Sequence, residues 1–344
     1  MLEIDASAGG QVMRSALALS ALLDRPLKLS NIRARRPNPG LQAQHLASVN
    51  ALASICSAKL ENAKLGSKEL LFTPSEAKDI SFAVNIHTAG STMLVLQTIL
   101  PASMLANVKL RLHGGTDAAF APPFNHFNEV LLPVLRSIGV KAELQLISHG
   151  YFPRGNGIVS FKSSKAKLPL KPIILNEKPE LSHIKIFSHC ISLPRTVAIE
   201  QANSSEKVLS QLGVEIVQEL YCSENENARG SGIDCIAYFK NGFSIGANSL
   251  GAKGIPAEKV GSNAARLLLT ELESNAAVDL HLADQLLIFM ALAKGKSGII
   301  CPRITDHIAN NISVIEKILG VKFEKNELEN KSTSIWVEGT AFKK

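Results

Sequence analysis

The sequence predicts an α/β (α+β) fold: three repeated β-α-β-α-β-β units around a pseudo-threefold axis, with a smaller α/β domain inserted in the third. The first observation is a recurring join between a helix and a strand. The segment Ile138-Gly-Val-Lys-Ala-Glu-Leu144 returns as Leu319-Gly-Val-Lys-Phe-Glu-Lys325 and, more weakly, at 55–61. The second observation is the spacing of these joins along the chain. The interval from the join at 138 to the join at 319 is longer than the interval from 55 to 138 by about the length of a small domain.

Each unit has the same predicted order of elements. A strand, a Gly- or Asp-containing loop and an apolar helix open the units at 4–15, 84–94 and 278–287. A second helix begins near Pro39-Gly40, Pro122-Pro123 and Asp306. Gly139 and Gly320 then suit the left-handed residue that ends a helix. We therefore expect a large domain of residues 1–177 and 276–344 and an inserted domain of residues 178–275, which carries a helix from about Pro256 to Ser274.

The composition limits the classes of function. Of 344 residues, 46% are hydrophobic and 19% are charged, which is typical of a globular protein with an ample core. The net charge of +7 and the pI near 9.1 favour a polyanionic partner such as a nucleotide or RNA. Because aromatic residues make up only 5% of the chain, base stacking is not expected to be the main mode of nucleic-acid contact.

The cysteines and the apolar segments indicate a cytoplasmic protein. The five cysteines are scattered without a Cys-x-x-Cys pair, so neither a zinc site nor a disulfide framework is predicted. The opening residues Met-Leu-Glu-Ile-Asp lack the features of a signal peptide. The apolar run from Leu286 to Ala293 is too short to span a bilayer. We expect no membrane association, and the sequence indicates no obligate protein partner.

His307 is the candidate nucleophile. Apolar residues at 308, 312, 315 and 319 form one helical stripe, and Thr305 and Asp306 are natural N-cap residues. His307 should therefore lie in the first turn, where the helix dipole disfavours the protonated ring and free N–H groups would hold a phosphate. Asn311 lies on the same face and could orient the ring. The plainer interpretation is a polar residue at a helix start.

Two segments suggest a nucleotide site. A Gly-Ser turn at Gly90-Ser91 enters an apolar helix, and such a helix start can bind an anion. Gln97 lies further along this helix, as a buried structural glutamine or as a reader of a purine base. The segment 278–285 is predicted to end a strand and start another helix. Asp284 and Gln285 there are either simple capping residues or ligands at a cleft.

A basic loop suggests a phosphate site. Three arginines, Arg33, Arg35 and Arg36, precede a helix, and guanidinium groups bind two phosphate oxygens at once. A solvated basic loop is the alternative. Gln44, His45 and Arg14 could complete the pocket. The histidines that show no metal-ligand spacing are predicted to be structural or surface residues: His113, His126, His149, His183 and His189.

Taken together, these segments resemble the RNA 3′-terminal phosphate cyclase family over nearly the whole chain. The matching motifs, in order, are Gly-Gly-Gln-Val-Met-Arg-Ser-Ala-Leu (9–17), Ile-Arg-Ala-x-Arg-x-x-Pro-Gly-Leu-x-x-Gln-His-Leu (32–46), Ala-Gly-Ser-Thr-Met-Leu-Val-Leu-Gln-Thr-Ile-Leu-Pro-Ala (89–102), Gly-Gly-Thr-Asp (114–117), Ala-Pro-Pro (121–123), His-Gly-Tyr-Phe-Pro-Arg-Gly-Asn-Gly (149–157), Pro-Ala-Glu-Lys-Val-Gly (256–261), Leu-Ala-Asp-Gln (282–285) and His-x-x-x-Asn (307–311).

The resemblance implies a ligase that acts in RNA processing. ATP would adenylylate His307, the AMP would move to an RNA 3′-terminal phosphate, and the 2′-hydroxyl would close a 2′,3′-cyclic phosphate. ATP and a divalent metal, Mg²⁺ or Mn²⁺, are the implied cofactors, and RNA with a 3′-phosphate is the implied partner. The residues expected to contact ATP are Gln97, His281, Leu282, Ala283, Asp284 and Gln285. Those expected to bind the RNA 3′-phosphate are Arg14, Arg33, Arg36, Gln44 and His45.

One loop departs from the family pattern. The family usually has Asp-Gly-x-x-Gly-Glu-Gly-Gly-Gly-Gln, with the glutamate near the metal and the triphosphate. Here the loop reads Asp5-Ala-Ser-Ala-Gly-Gly-Gln11, which is shorter and lacks that glutamate, so the metal ligands are unknown. Arg35 also replaces a common glycine. The alternative function is that of the family's non-catalytic branch, which acts in ribosomal RNA processing and ribosome assembly.

Overall fold

The structure, a computed structural model, describes residues 1–225, 228–329 and 331–344. The first unit consists of β1 (Leu2–Asp5), α1 (Gly10–Leu23), β2 (Leu27–Ser30), α2 (Ala43–Ile55), β3 (Lys59–Glu61) and β4 (Leu70–Thr73). The second consists of β5 (Ile80–Asn85), α3 (Thr92–Ser103), β6 (Val108–Gly114), α4 (Phe124–His126), a π-helical turn (Phe127–Leu131), α5 (Leu132–Ser137), β7 (Lys141–Ser148) and β8 (Gly157–Ser164).

The third unit is interrupted after its first strand. It opens with β9 (Ile174–Leu175), and the inserted segment follows: β10 (Leu181–Ile191), α6 (Arg195–Leu209), a 3-10 turn (Ser210–Leu212), β11 (Glu215–Ser223), β12 (Gly230–Phe239), β13 (Ser244–Leu250) and α7 (Ala257–Glu273). The unit resumes with α8 (Leu280–Leu292), β14 (Lys294–Cys301), α9 (Asp306–Leu319), β15 (Phe323–Glu327) and β16 (Thr333–Thr340).

The three sheets repeat one strand order, which confirms the predicted fold class. Their orders are β1-β2-β4-β3, β5-β6-β8-β7 and β9-β14-β16-β15, so each unit pairs its strands in the sequence first, second, fourth, third. The first pair is parallel in every unit, because a helix crosses over between those strands, and the remaining pairs are antiparallel. The inserted strands form a separate sheet, β11-β10-β12-β13.

One expectation about the third unit is wrong. The sequence places its opening strand at Val278, whereas Ile174 and Leu175 take that place by pairing with Gly298 and Ile299. Val278 is buried, and its N–H donates to Ile300, but it does not extend into a strand. The insertion therefore separates the first strand from its helix, which a spacing argument based on helices cannot detect.

The hydrophobic core follows the same division. One buried cluster runs through all three units, while a second joins the inner face of the inserted sheet to α6 and α7. α1 packs against both α3 and α9, so helices of all three units meet at its side. Among the described residues, helices long and apolar enough to cross a membrane are absent.

Candidate active site

The start of α1 has free backbone amides and two glycines that leave space beside them. Gly9 (φ 147°) is the N-cap, α1 begins at Gly10, and no side chain caps the free amides. A Cβ atom on Gly10 would lie 2.8 Å from Nε2 of His45 and 3.1 Å from Nη1 of Arg14. Helix N-termini attract anions through free N–H groups and the dipole. Backbone, imidazole and guanidinium donors therefore converge on one point.

His45 presents a neutral donor to this point. Its Nδ1 accepts a hydrogen bond from the backbone N–H of Gln42 at 3.2 Å, as part of a capping box at the start of α2. Because Nδ1 accepts, the ring proton lies on Nε2, the atom that faces Gly10. Burial, reinforced by the charges of Arg33 and Arg14, lowers the pKa of His45 to about 3. At neutral pH the ring therefore offers an N–H group without a positive charge.

The basic loop places its arginines in different roles. Arg33 has φ 55° and donates from Nη1 to the carbonyl oxygens of Asn38 and Gly40, the latter at 3.0 Å. Burial first, and then Arg36, lowers the pKa of Arg33. Arg36 is exposed, and a Cβ atom on Gly9 would lie 3.2 Å from its Nη2. Arg36 thus faces the start of α1, whereas Arg33 holds the loop in shape.

Gln44 lies beside α3 rather than beside α1. Its Oε1 accepts from the N–H of Ser91 at 2.7 Å, and the Ser91 hydroxyl accepts from the N–H of Leu94 at 3.2 Å. Two donors at the start of α3, which the sequence suggested as an anion site, are therefore already bonded to side chains of the chain. The geometry favours the start of α1 instead.

Arg14 is a buried cation that connects the first two units. It is 8% exposed, and its Nε donates to Oε1 of Gln97 at 3.0 Å. Burial lowers the pKa of Arg14 to about 10, although the Asp284 carboxylate nearby acts in the opposite direction. The guanidinium remains charged at neutral pH. Because the bond fixes the oxygen end of the Gln97 amide, it sets how that amide faces the cleft.

Asn311 ties the third unit to the first. Its Nδ2 donates to Oδ1 of Asp284 at 2.6 Å, and its Oδ1 accepts from the Ser15 hydroxyl at 2.8 Å. Burial raises the pKa of Asp284, against the opposing effects of Arg14, the Asn311 bond and nearby His307. Both ends of the Asn311 amide are thus used to hold helices together, which differs from the expected role of orienting the ring of His307.

His307 lies where the capping pattern predicts. α9 begins at Asp306, and the N-cap Thr305 accepts from the N–H of Ile308 through its hydroxyl at 3.3 Å. The His307 side chain is exposed in the first turn. It is also close enough to Asp284 to influence the ionisation of that carboxyl. The exposed imidazole of His307 therefore lies one helical turn before Asn311 along α9.

The start of α8 shows that Asp284 and Gln285 are not capping residues. The N-cap is Asp279, whose Oδ1 accepts from the N–H of Leu282 at 2.8 Å. Asp284 and Gln285 lie one turn further on, where they line a narrow cleft. The cleft is lined by Gln11, Arg14, Ser15, Ala18, Gln97, Leu100, Leu131, Asp284, Gln285, Ile288, Phe289, Asn311 and Ile315.

Gln285 is the unsatisfied polar group of this cleft. It is 4% exposed, and neither its Oε1 nor its Nε2 has a hydrogen-bond partner among the described residues. A buried amide without partners costs stability, so such a group in a native protein calls for an explanation. A bound molecule with adjacent donor and acceptor atoms would satisfy both ends of the amide.

A second ionisable cluster, which the sequence missed, lies between the second unit and the inserted segment. His149 Nδ1 is 2.7 Å from Oδ2 of Asp117, and His189 Nε2 is 3.7 Å from its Oδ1 and 3.3 Å from Oδ2 of Asp234. All four side chains are buried. Their distance along the chain gave no spacing signal, although the motifs at 114–117 and 149–157 contain two of them.

The spacing of Asp117, His149 and His189 is that of metal ligands. However, the two imidazole rings are stacked, with centroids 4.1 Å apart and 17° between their planes. A metal ion lies close to the plane of each histidine that binds it, and one ion cannot lie in two stacked planes. The arrangement is therefore a hydrogen-bonded cluster and not a built metal centre.

The chain is similar to the proteins of one family along nearly its whole length. A family model described as RNA 3′-terminal phosphate cyclase matches residues 6–325. An RNA 3′-terminal phosphate cyclase of Saccharolobus islandicus is 40% identical over 328 residues, which is 94% of this chain and 96% of the relative. One of Caldivirga maquilingensis is 43% identical over 334 residues, 94% of each chain. A structure of EPSP synthase from Acinetobacter baumannii aligns with a TM-score of 0.31 and 13% identity, covering 98% of this chain and 64% of that one.

Proposed function

The chain belongs to the RNA 3′-terminal phosphate cyclase family, and on that premise we propose that it is an ATP-dependent enzyme that converts an RNA 3′-terminal phosphate to a 2′,3′-cyclic phosphate. The observation that carries the proposal is the junction of α1, α8 and α9. The bonds from Ser15 to Asn311 and from Asn311 to Asp284 hold the helix of His307 against the helix whose start collects phosphate donors. The proposed nucleophile and the donors at the start of α1 therefore lie on helices that these bonds hold together.

The proposed reaction has three steps. A ring nitrogen of His307 attacks the α-phosphorus of ATP, the new N–P bond replaces the bond to the β-phosphate oxygen, and pyrophosphate leaves. An oxygen of the RNA 3′-phosphate then attacks the same phosphorus, which frees His307 and leaves AMP on the RNA end. Finally the 2′-hydroxyl loses its proton and attacks the 3′-phosphorus, and AMP leaves as the cyclic phosphate closes.

We propose that ATP contacts Gln97 and the segment of His281, Leu282, Ala283, Asp284 and Gln285. The support is the unpartnered amide of Gln285, because a purine edge offers a donor beside an acceptor. Gln97 is held by Arg14 and can present its amide nitrogen to the same cleft. Asp284 would act indirectly, since it holds Asn311 and balances the charge of Arg14.

The RNA 3′-phosphate is proposed to bind at the start of α1. Arg14, Arg36 and Nε2 of His45 would donate to it directly, together with backbone N–H groups. Arg33 and Gln44 would act through their neighbours, because Arg33 bonds its own loop and Gln44 bonds Ser91. This modifies the expectation from the resemblance, which gave all five side chains the same direct role.

Among the described residues of the opening loop, no carboxylate has oxygens free to hold the implied divalent metal. Asp5, the carboxylate of the opening loop, accepts from the N–H of Ser7 at 2.7 Å and from Nδ2 of Asn31 at 3.0 Å. The Ser7 bonds first, and then the Asn31 bond, lower the pKa of Asp5. Its oxygens thus shape the shortened loop. We propose that Mg²⁺ or Mn²⁺ is held by the triphosphate of ATP rather than by a protein cage.

Labelled nucleotide tests the proposal. The wild-type protein, incubated with ATP labelled at the α-phosphate and with Mn²⁺ or Mg²⁺, should retain label after denaturation, in a bond that acid hydrolyses and alkali spares, as a phosphoramidate does. His307→Ala should reduce the label to background, while the control His183→Ala, on the inserted sheet, should not. An oligonucleotide 3′-phosphate should then become resistant to phosphomonoesterase.

Two outcomes would overturn the proposal. Label retained by His307→Ala would place the nucleophile elsewhere. RNA binding without label at any metal concentration would favour the non-catalytic alternative in ribosomal RNA processing and assembly, to which the shortened loop also points. The compartment we propose is the cytoplasm, which suits a chain whose five cysteines are all free.

A further inference from the structure

An open polar groove of about 470 Å³ lies in the second unit, at the carboxyl ends of β5 and β6. It is formed where β5 and β6 end and where the loop of residues 149–157 folds over them. The side chains that line it include Asn85, His87, Thr88, His113, Arg154 and Asn156. None of the described lining residues is acidic. The groove is distinct from the cleft that Gln285 lines.

One short loop lies between the groove and the proposed RNA site. A Cβ atom on Gly90 would lie 2.9 Å from Cβ of Gln44, so the loop that enters α3 touches Gln44 on one side. On the other side Gly155 (φ 76°) packs onto the same loop, since its Cβ would lie 2.7 Å from the carbonyl oxygen of Thr88. This short loop therefore separates the residues around His45 from Arg154, and a chain leaving the first region meets the second.

Positive charge extends from the groove along one strand. His113, Arg111 and Lys109 alternate on the outer face of β6, about 6.6 Å from one to the next. Lys162 on β8 is the register partner of Lys109. Glu143 on β7 is the register partner of Lys162. Because β8 lies between β7 and β6, this acidic residue is not adjacent to β6. A flexible polyanion lying along this strand would meet a basic group at each step.

Phe152 supplies an exposed apolar surface close to Arg154 along the chain. Its side chain is 83% exposed, and it precedes by two residues Arg154, which lines the groove. An exposed aromatic ring offers a flat apolar face that a nucleobase can cover. Sites for single-stranded nucleic acid combine a basic track with exposed aromatic rings, on which bases stack without regard to sequence.

We propose that this groove binds the single-stranded nucleotides immediately before the 3′-terminal one, with Phe152 stacking on a base and Arg154 contacting the backbone. The inference rests on the proposed cyclase function and deepens it, because it gives the RNA body a path away from the start of α1. It also explains how the chain uses stacking despite few aromatic residues: one ring suffices where charge supplies the rest of the affinity.

Substrate length provides the test. The cyclisation kinetics of Phe152→Ala and Arg154→Ala are compared with wild type, using a nucleoside 3′-monophosphate and a single-stranded 3′-phosphate oligonucleotide of about six nucleotides. The variants should raise KM for the oligonucleotide at least about fivefold, given the usual contribution of one stacked base. Both variants should keep wild-type KM for the mononucleotide and wild-type labelling from ATP. Arg154→Ala should also lessen the salt dependence of oligonucleotide binding.

Matched controls come from α7, where Arg266 and Leu267 are both exposed. Arg266→Ala and Leu267→Ala should leave the length dependence unchanged. If the groove variants behave like these controls, or raise KM equally for both substrates, the groove does not bind the RNA body. If the wild-type protein cyclises neither substrate, the cyclase proposal itself fails, and that result is visible without any variant.

Discussion

The Ser15 hydroxyl donates to the amide oxygen of Asn311 across 2.8 Å, and this bond joins α1 to α9, the helix that carries His307. The same amide donates to Asp284 on the third helix of the junction. Because the three helices belong to the first and third units, the cleft exists only when the units are assembled. The proposed function therefore depends on contacts that no single unit contains.

Replacing Asn311 tests this junction. Asn311→Ala removes two partly buried hydrogen bonds, one of them to a carboxylate, and should lower the free energy of unfolding by about 2–4 kcal/mol. Adenylylation should fall as well, because α9 loses its fixed position against α1. Asn310→Ala, the adjacent and partly exposed asparagine, is the control and should change both quantities little. Denaturant unfolding and labelling from ATP measure the two effects, and equal results for the two variants would contradict the role of Asn311.

Gly10→Ala should separate stability from phosphate binding. Alanine is favoured over glycine in a helix by about 0.5–1 kcal/mol, and the atoms it would meet are side-chain ends of His45 and Arg14 rather than backbone. Those ends must move, which disperses the phosphate donors. We expect stability to hold or rise while the Kd for a 3′-phosphate oligonucleotide rises about tenfold. In contrast, Gly261→Ala meets the carbonyl of Gln201 at 2.0 Å and should destabilise the fold.

His45 should make stability depend on pH. Its folded pKa of about 3 lies below the usual 6.5, so between these values the unfolded chain binds a proton that the folded chain does not. Stability must therefore fall as the pH drops from 6.5 towards 3. His45→Gln has no imidazole to protonate. Between pH 7 and pH 5 the free energy of unfolding of wild type should therefore fall by about 2 kcal/mol more than that of the variant. Parallel curves in denaturant unfolding would mean that the ring is protonated in the folded state.

The sequence predicted features that depend on local chemistry. Thr305 is an N-cap because its hydroxyl serves its own helix, and Gly320 (φ 74°) ends that helix in the left-handed conformation that glycine adopts most easily. The repeat could be predicted for the same reason, since the second and third units carry a glycine with positive φ, Gly139 and Gly320, where a helix joins a strand. The opening strand at Ile174 could not, because two residues give no periodicity.

Features that depend on contacts between units were beyond the sequence. Asn311 was expected to face His307 from helical spacing alone, but it bonds to Ser15 and Asp284, which are distant along the chain. The stacking of His149 on His189 likewise requires the inserted segment to lie against the second unit. Local patterns give residue types and helix faces, whereas the partner of a buried polar group is decided by packing between units.

Two buried glutamines differ in whether their amide groups have hydrogen-bond partners. Gln201 accepts from Ser188 at 3.1 Å and donates to Ser231 at 2.9 Å, whereas Gln285 has no partner at either end among the described residues. Methionine has nearly the same volume as glutamine and needs no hydrogen bonds. Gln201→Met should therefore lower the free energy of unfolding by about 2 kcal/mol, because it removes two buried hydrogen bonds.

Gln285→Met should do the opposite. It removes two unsatisfied polar atoms, so the free energy of unfolding of the ATP-free protein should rise by at least about 1 kcal/mol. The same substitution should raise the KM for ATP in the labelling reaction about tenfold, because the amide would then be missing when a purine enters the cleft. A gain in stability together with a loss of nucleotide affinity is expected of a residue retained for binding. If Gln285→Met destabilises the protein as Gln201→Met does, its amide is already satisfied without ligand and does not read the base.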